Sequence, residues 1–269
     1  MNTKQNIPQH LEKPYYTIQI NSGSCNFEIR ANDMPVWQYL YDDGGISINV
    51  PLNAFIIESG IQDISVKIFP RKGEEKLTKY AYLEIEVRKY NDVNDAASNF
   101  ENLIDYKLDV PEEGIPLSVY KNKFKATVPY KIEAWKNSKE LKDIEDIESK
   151  IISFYEMYWE LLNTKNISKL NALDIKREKN IAEVFYFSKE RIVQRVEFVN
   201  EAVLDKNAIM QPLQNYLFVY YAKGKVISLL LPNGEHALHS IIKEEDGDVT
   251  NTRQLQLHMP SNSDQLEII

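Results

Sequence analysis

The sequence predicts an α+β protein: an N-terminal antiparallel β-sandwich, Ig-like or jelly-roll-like, followed by a module of helices and an antiparallel meander. Three observations carry this expectation. From about Tyr15 to Trp135, apolar residues mostly alternate with polar ones. From about Glu140 to Leu204 they recur every three or four residues. From Tyr216 to Ile269, short runs are separated by Lys223-Gly224, Asn233-Gly234 and Asp246-Gly247. The boundaries that follow are 14–138 for the sandwich and 139–269 for the α+β module.

In the first block, Tyr16, Ile18 and Ile20 alternate in a first strand, and Asn21-Ser-Gly-Ser24 turns into a second with Phe27 and Ile29. Val36–Tyr41 is apolar and aromatic and ends at Asp42-Asp-Gly-Gly45. Ile46, Ile48 and Val50 form the next strand; Ile64, Val66 and Ile68 the one after, which Pro70 stops. Leu52–Ser59 breaks the period and reads as one or two helical turns or a bent crossover before Gly60. Thr78–Tyr90 is the longest strand, and 91–122 reads as a long acidic loop. Lys125–Trp135 alternates again and is expected to close the sandwich.

The helical block opens with Glu140–Asn163, where Leu141, Ile144, Ile147, Ile151, Phe154, Tyr158 and Leu161 share a face and Ser138 is the expected N-cap. Its 24 residues would span about 36 Å. Ser168 is expected to cap a second helix through Leu170, Leu173, Ile181 and Val184. Ile192, Val196, Val199 and Val203 continue it, bent or as a separate helix. After Pro212, five strands are expected: Tyr216–Tyr221, Lys225–Leu231, Ala237–Ile242, Arg253–Met259 and Gln265–Ile269.

Composition limits the function classes. A net charge of −8 without a basic stripe disfavours nucleic acid and anionic membrane surfaces, because both are held by Lys and Arg. No run reaches the roughly 18 apolar residues of a membrane span, and the N-terminal stretch has no apolar segment of a signal peptide. The chain begins with Met and is expected to be complete and cytoplasmic. Cys25 is the single cysteine, so no internal disulfide is expected, and it reads as a small residue near a turn.

Motifs of chemistry are missing. There is no G-x-S-x-G, P-loop, G-x-G-x-x-G, H-E-x-x-H or C-x-x-C, so no catalytic residue, cofactor or metal site is expected. His236 and His239 lie three apart in a predicted strand and point to opposite faces, and His258 stands opposite one of them if the strands pair. Asp42-Asp43-Gly44-Gly45 reads as a turn, since a calcium loop needs oxygens spread over about 12 residues. Two features suit an interface. Trp37, Tyr39 and Tyr41 share one face of a strand, either as an exposed platform or as inter-sheet core. Glu244, Glu245, Asp246 and Asp248 form an acidic hairpin tip, either a solvated turn or a dock for a basic partner.

The segment INVPLNAFIIESGIQDISVKIFP (Ile48–Pro70) with the strand to Tyr90, and the tail MQPLQNYLFVYYAKGKVISLLLPNGEHALHS from Met210, resemble uncharacterised two-domain bacterial proteins found near interbacterial effector–immunity loci. The resemblance covers about half the chain and implies no site residue. The leading expectation is a non-enzymatic protein that binds a protein partner, a toxin in the immunity reading. The alternatives are a carbohydrate- or ligand-binding sandwich, and a small-molecule enzyme with a pocket lined by His236, His239, Glu235 and Tyr221.

Overall fold

Two four-stranded antiparallel sheets face each other across the N-terminal half. The computed structural model describes residues 12–95, 99–243 and 247–269. The strands are β1 (Tyr15–Gly23), β2 (Asn26–Ala31), β3 (Met34–Tyr39), β4 (Gly45–Pro51), β5 (Gly60–Phe69), β6 (Tyr82–Tyr90), β7 (Phe100–Lys107) and β8 (Ser118–Ala126). One sheet has the order β4-β1-β6-β7, the other β3-β2-β5-β8. Period-two alternation builds the shared core: Ile18 and Ile20 of β1, Phe27 and Ile29 of β2, Val66 and Ile68 of β5, and Leu83, Ile85 and Val87 of β6 are fully buried. The α+β layout expected from the sequence is the one observed.

The details differ where an edge strand hides its period. The stretch 91–122, expected to be a loop, contains β7 and the start of β8. Each is an edge strand with few buried side chains, Ile104 on β7 and Phe124 and Ala126 on β8, so no alternation marks them. In the segment after Ala126 the alternation is real but the ladder ends. Val128, Tyr130, Ile132 and Ala134 are buried, yet Pro129 has no N–H to donate. The chain is held instead by Val128 N–H donating to Ser59 Oγ (2.9 Å) and Ile132 N–H donating to Ile57 O (2.9 Å). The irregular Leu52–Ser59 piece is a 3₁₀ turn, Asn53–Phe55.

Three helices follow: α1 (Ile147–Asn163), α2 (Ile167–Val184) and α3 (Lys189–Leu204). The first starts later than expected. Leu141–Asp143 is a separate 3₁₀ turn, and Asp146, with φ 56°, precedes α1. Ser138 is therefore not its cap; its hydroxyl lies 2.7 Å from His258 Nδ1. Asn166, not Ser168, caps α2 by accepting from Lys169 N–H (3.2 Å). The second and third helices are separate, because Tyr186 takes φ 56° and Ser188 caps α3 by accepting from Arg191 N–H.

The remaining strands are β9 (Ala208–Met210), β10 (Leu217–Tyr221), β11 (Val226–Leu230), β12 (His239–Ile242), β13 (Val249–Thr252), β14 (Leu257–His258) and β15 (Glu267–Ile268). They divide into the sheets β10-β11-β14-β15 and β13-β12-β9, linked by an isolated bridge Leu230↔His236. The expected strand Arg253–Met259 is shorter, and its place in the meander is shared by β13 and β14. Helix α1 packs on this surface through Ile147, Ile151, Tyr155, Tyr158 and Leu161, against Ile227, Leu229, Leu238 and Leu257. Tyr155 fixes the register of the contact: its hydroxyl donates to Leu255 O (2.6 Å) and accepts from Leu229 N–H (2.9 Å). On the other side, Val184, Tyr221, Ala222 and Val226 join the sandwich core. Gly234, with φ 86°, sits against Gln38 and Leu40, where a Cβ would come within 2.4 Å of Leu40 Cδ1.

His258 is a buried neutral imidazole, its side chain 2 % exposed and 3.8 Å from Glu267. Burial pushes its pKa down to about 4 from 6.5, and Glu267 only partly opposes this. The folded state therefore binds fewer protons than the unfolded state between these values, so stability falls as pH drops from about 6.5 towards 4. The loss is expected to be on the order of 2–3 kcal/mol. His236, also pushed down by burial, adds in the same direction. Urea titrations from pH 7 to 4 on the parent and on His258→Gln check it. The variant is expected to lose most of the slope.

Candidate functional site

Helix α2 separates two concave surfaces. Its residues Asp174, Ile175, Glu178, Lys179 and Ala182 line a groove shared with Ile192, Val196 and Val199 of α3, of about 640 Å³. Its residues Arg177, Asn180, Ile181 and Val184 line a cleft of about 280 Å³ shared with the sandwich and the Thr252–Gln256 segment. The 3.6-residue period makes this division, since positions 174, 175, 178, 179 and 182 fall on one side and 177, 180, 181 and 184 on another.

The groove side is apolar and open. No residue of α3 is buried. Phe198 is 72 % exposed, Ile175 and Val193 55 %, and Leu204 52 %. Ile175 lines the groove, whereas Phe198 lies on another side of α3 and lines a smaller concavity with Leu162, Val203 and Met210. A helix that leaves this much apolar surface in water is of the kind that marks a contact surface. Exposed Glu197 and Glu201 flank Phe198. Neither has an ion-pair partner among the described residues.

Between the two surfaces runs a chain of ion pairs. Asp174, whose side chain is 6 % exposed, accepts from the Tyr158 hydroxyl (2.9 Å) and pairs with Arg177 (3.2 Å) and Arg253. Arg253 also donates to the Tyr158 oxygen (2.9 Å). Arg177 reaches Glu178 (3.5 Å), which pairs with Arg195 at 2.6 Å. Burial pushes the Tyr158 phenol up to about 12, so it stays protonated and donates.

The residues singled out from the sequence are placed differently. Tyr39 is buried, stacked on Phe27 at 6.0 Å, and its hydroxyl donates to Asp43 O. Trp37 is half-buried opposite Ile29, above a register shift between Ile29 and Arg30. Tyr41 alone of the three is exposed, at 60 %, its edge against Tyr39. The three rings therefore form no common exposed platform. Glu244, Glu245 and Asp246 lie outside the described residues, and Asp248 is exposed.

Tyr221 is buried beneath the Arg30 guanidinium, Glu235 is exposed, and His239 lies 3.2 Å from Ala237 O. These groups do not converge with His236 on either surface. His258 pairs across β14 with Val226 and Glu267, not with another histidine. Cys25 is fully buried, its thiol pushed up to about 11 by burial, which removes thiolate reactivity. Among the described residues, no group of three or more His, Cys, Asp or Glu side chains is placed to hold a metal ion, and no helix is long and apolar enough to cross a membrane.

Neither surface was legible beforehand. Apolar residues at helical spacing read as core, and the three arginines of the cleft stand 18 and 58 positions apart in the chain. Comparison with family models, with curated proteins and with solved structures gave no match.

Proposed function

We propose that this chain is a non-enzymatic cytoplasmic protein-binding protein, that the exposed surface of α3 receives its partner, and that the partner is a bacterial toxin which it neutralises. One observation carries the reading: α3 buries none of its residues, and Phe198 stands 72 % exposed on it. An aromatic side chain left in water gains free energy when a partner covers it, and such residues dominate binding energy. Glu197 and Glu201 beside it, and the net charge of −8, favour a partner segment with an apolar anchor flanked by Lys or Arg. The absence of a catalytic motif in the sequence supports binding over turnover. The toxin identity rests on the resemblance to proteins of effector–immunity loci.

Co-expression of the full chain with the product of the adjacent gene tests this. A stable complex and rescue from that product's toxicity are expected. Phe198→Glu is expected to weaken the complex about 30-fold or more, the effect of losing about 2 kcal/mol at a central contact. The same change should leave unfolding free energy within about 0.5 kcal/mol, because the ring is on the surface. A complex that survives Phe198→Glu unchanged would remove the exposed surface of α3 around Phe198 as the docking surface. No complex and no rescue would remove the immunity reading.

A further inference from the structure

We infer that the cleft on the other side of α2 binds a small organic carboxylate with an apolar body. The inference does not depend on the partner proposed for the surface of α3, since a different set of side chains carries it.

The polar wall is cationic. Arg177 and Arg195 reach it from α2 and α3, and Arg253 from the strand-to-strand segment after β13. Within their ion-pair chain these three guanidinium groups meet two carboxylates, Asp174 and Glu178, so one positive charge is left over. Two donors here lack an acceptor: Arg177 Nε and Gln256 Nε2 are buried without a hydrogen-bond partner. Gln256 is only 8 % exposed. Donors left unpaired in a protein interior cost free energy, which an incoming acceptor recovers. A carboxylate matches this wall, because its two oxygens accept from guanidinium and amide donors in one plane.

The opposite wall is apolar. Met34, Phe55 and Trp135 of the sandwich half face the cleft. Such a wall lowers the local dielectric and so strengthens the ion pairing, and it offers an aromatic or aliphatic body a surface on which to bury. The cavity, about 280 Å³, lies just below the usual range for small-molecule sites and suits only a small ligand. An inorganic anion would leave the apolar wall uncovered, and a neutral apolar molecule would leave the donors unpaired.

Isothermal titration of the full chain with 3-phenylpropionate, 3-phenylpropionamide and inorganic phosphate tests the site. Saturable one-to-one binding of 3-phenylpropionate is expected, with the amide and phosphate at least tenfold weaker. Gln256→Leu and Arg195→Met are each expected to weaken it about tenfold, the effect of one charge-assisted hydrogen bond. Gln256→Leu should leave the melting temperature of the free protein unlowered, because the donor it removes has no partner. That keeps a binding loss distinguishable from a folding loss. Equal binding of the amide overturns the role of charge, and equal binding of phosphate overturns the role of the apolar wall. No binding of any probe up to about 10 mM, well past the millimolar limit of weak affinity, or no effect of either variant, overturns the site.

Discussion

Asp174→Ala is expected to destabilise the protein by about 3–5 kcal/mol, the largest effect of any single substitution outside the apolar core. The carboxylate is nearly buried and is shared by Tyr158, Arg177 and Arg253. Removing it leaves the Arg253 guanidinium beside a buried phenol with no counter-charge. Arg177 is less affected, because Glu178 remains within 3.5 Å. The reading makes a second, sharper demand. If the penalty comes from an orphaned charge, removing both partners should relieve it, so Asp174→Leu combined with Arg253→Met should recover most of the loss. Urea unfolding of the two single variants and the double variant measures this as a cycle. A double variant as unstable as the sum of the singles would mean that the two residues are not coupled, and would remove the orphaned-charge account.

Asn53→Ala is expected to cost about 3 kcal/mol, because the buried hydrogen bonds of its side chain are lost together. Asn53 is fully buried in the 3₁₀ turn between β4 and β5. Its Oδ1 accepts from Tyr16 N–H (2.8 Å), and its Nδ2 donates to Pro14 O (3.1 Å) and Val184 O (3.2 Å). One side chain thus ties the first strand to the end of α2. After substitution, the Tyr16 N–H and the two carbonyls are left buried with no partner from this residue. Asn53→Asp is the informative companion. It keeps the acceptor for Tyr16 but faces two carbonyl oxygens with a charge, so it should be at least as damaging near neutral pH. Thermal unfolding of both variants checks the order. Near-parental stability of Asn53→Asp would show that the contacts to Pro14 and Val184 contribute little.

Both predictions rest on residues that the chain pattern does not distinguish. Asp174 falls in a helix where every fourth position is expected to be apolar, and Asn53 falls in the one stretch that breaks the strand period. Nothing in the local pattern sets either residue apart from its neighbours. Their importance comes from partners 79 and 131 positions away in the chain.

The edge strands show the same limit from the other side. Strand β6 is paired on both sides and buries Leu83, Ile85 and Val87, so its alternation is plain in the sequence. Strand β7 is paired on one side and buries only Ile104, so its polar sequence looks like a loop. The helix starts follow local rules that compete. Ser138 and Ser168 are good cap types, but the hydroxyl of Ser138 is taken by His258, and Asn166 caps α2 two residues before Ser168.

Local periodicity was enough to establish the α+β class, the central strands of the sandwich, the helical block and the turns of the final sheets. It works there because side-chain direction repeats every two or 3.6 residues, and burial imposes that repeat on the sequence. Three-dimensional packing alone settled the edges, the aromatic strip and both concave surfaces. Tyr39 turned inward while Phe198 was left in water, although both are aromatic residues in regular elements. Which face of an element meets a neighbour depends on elements far away in the chain, and no local period encodes that choice.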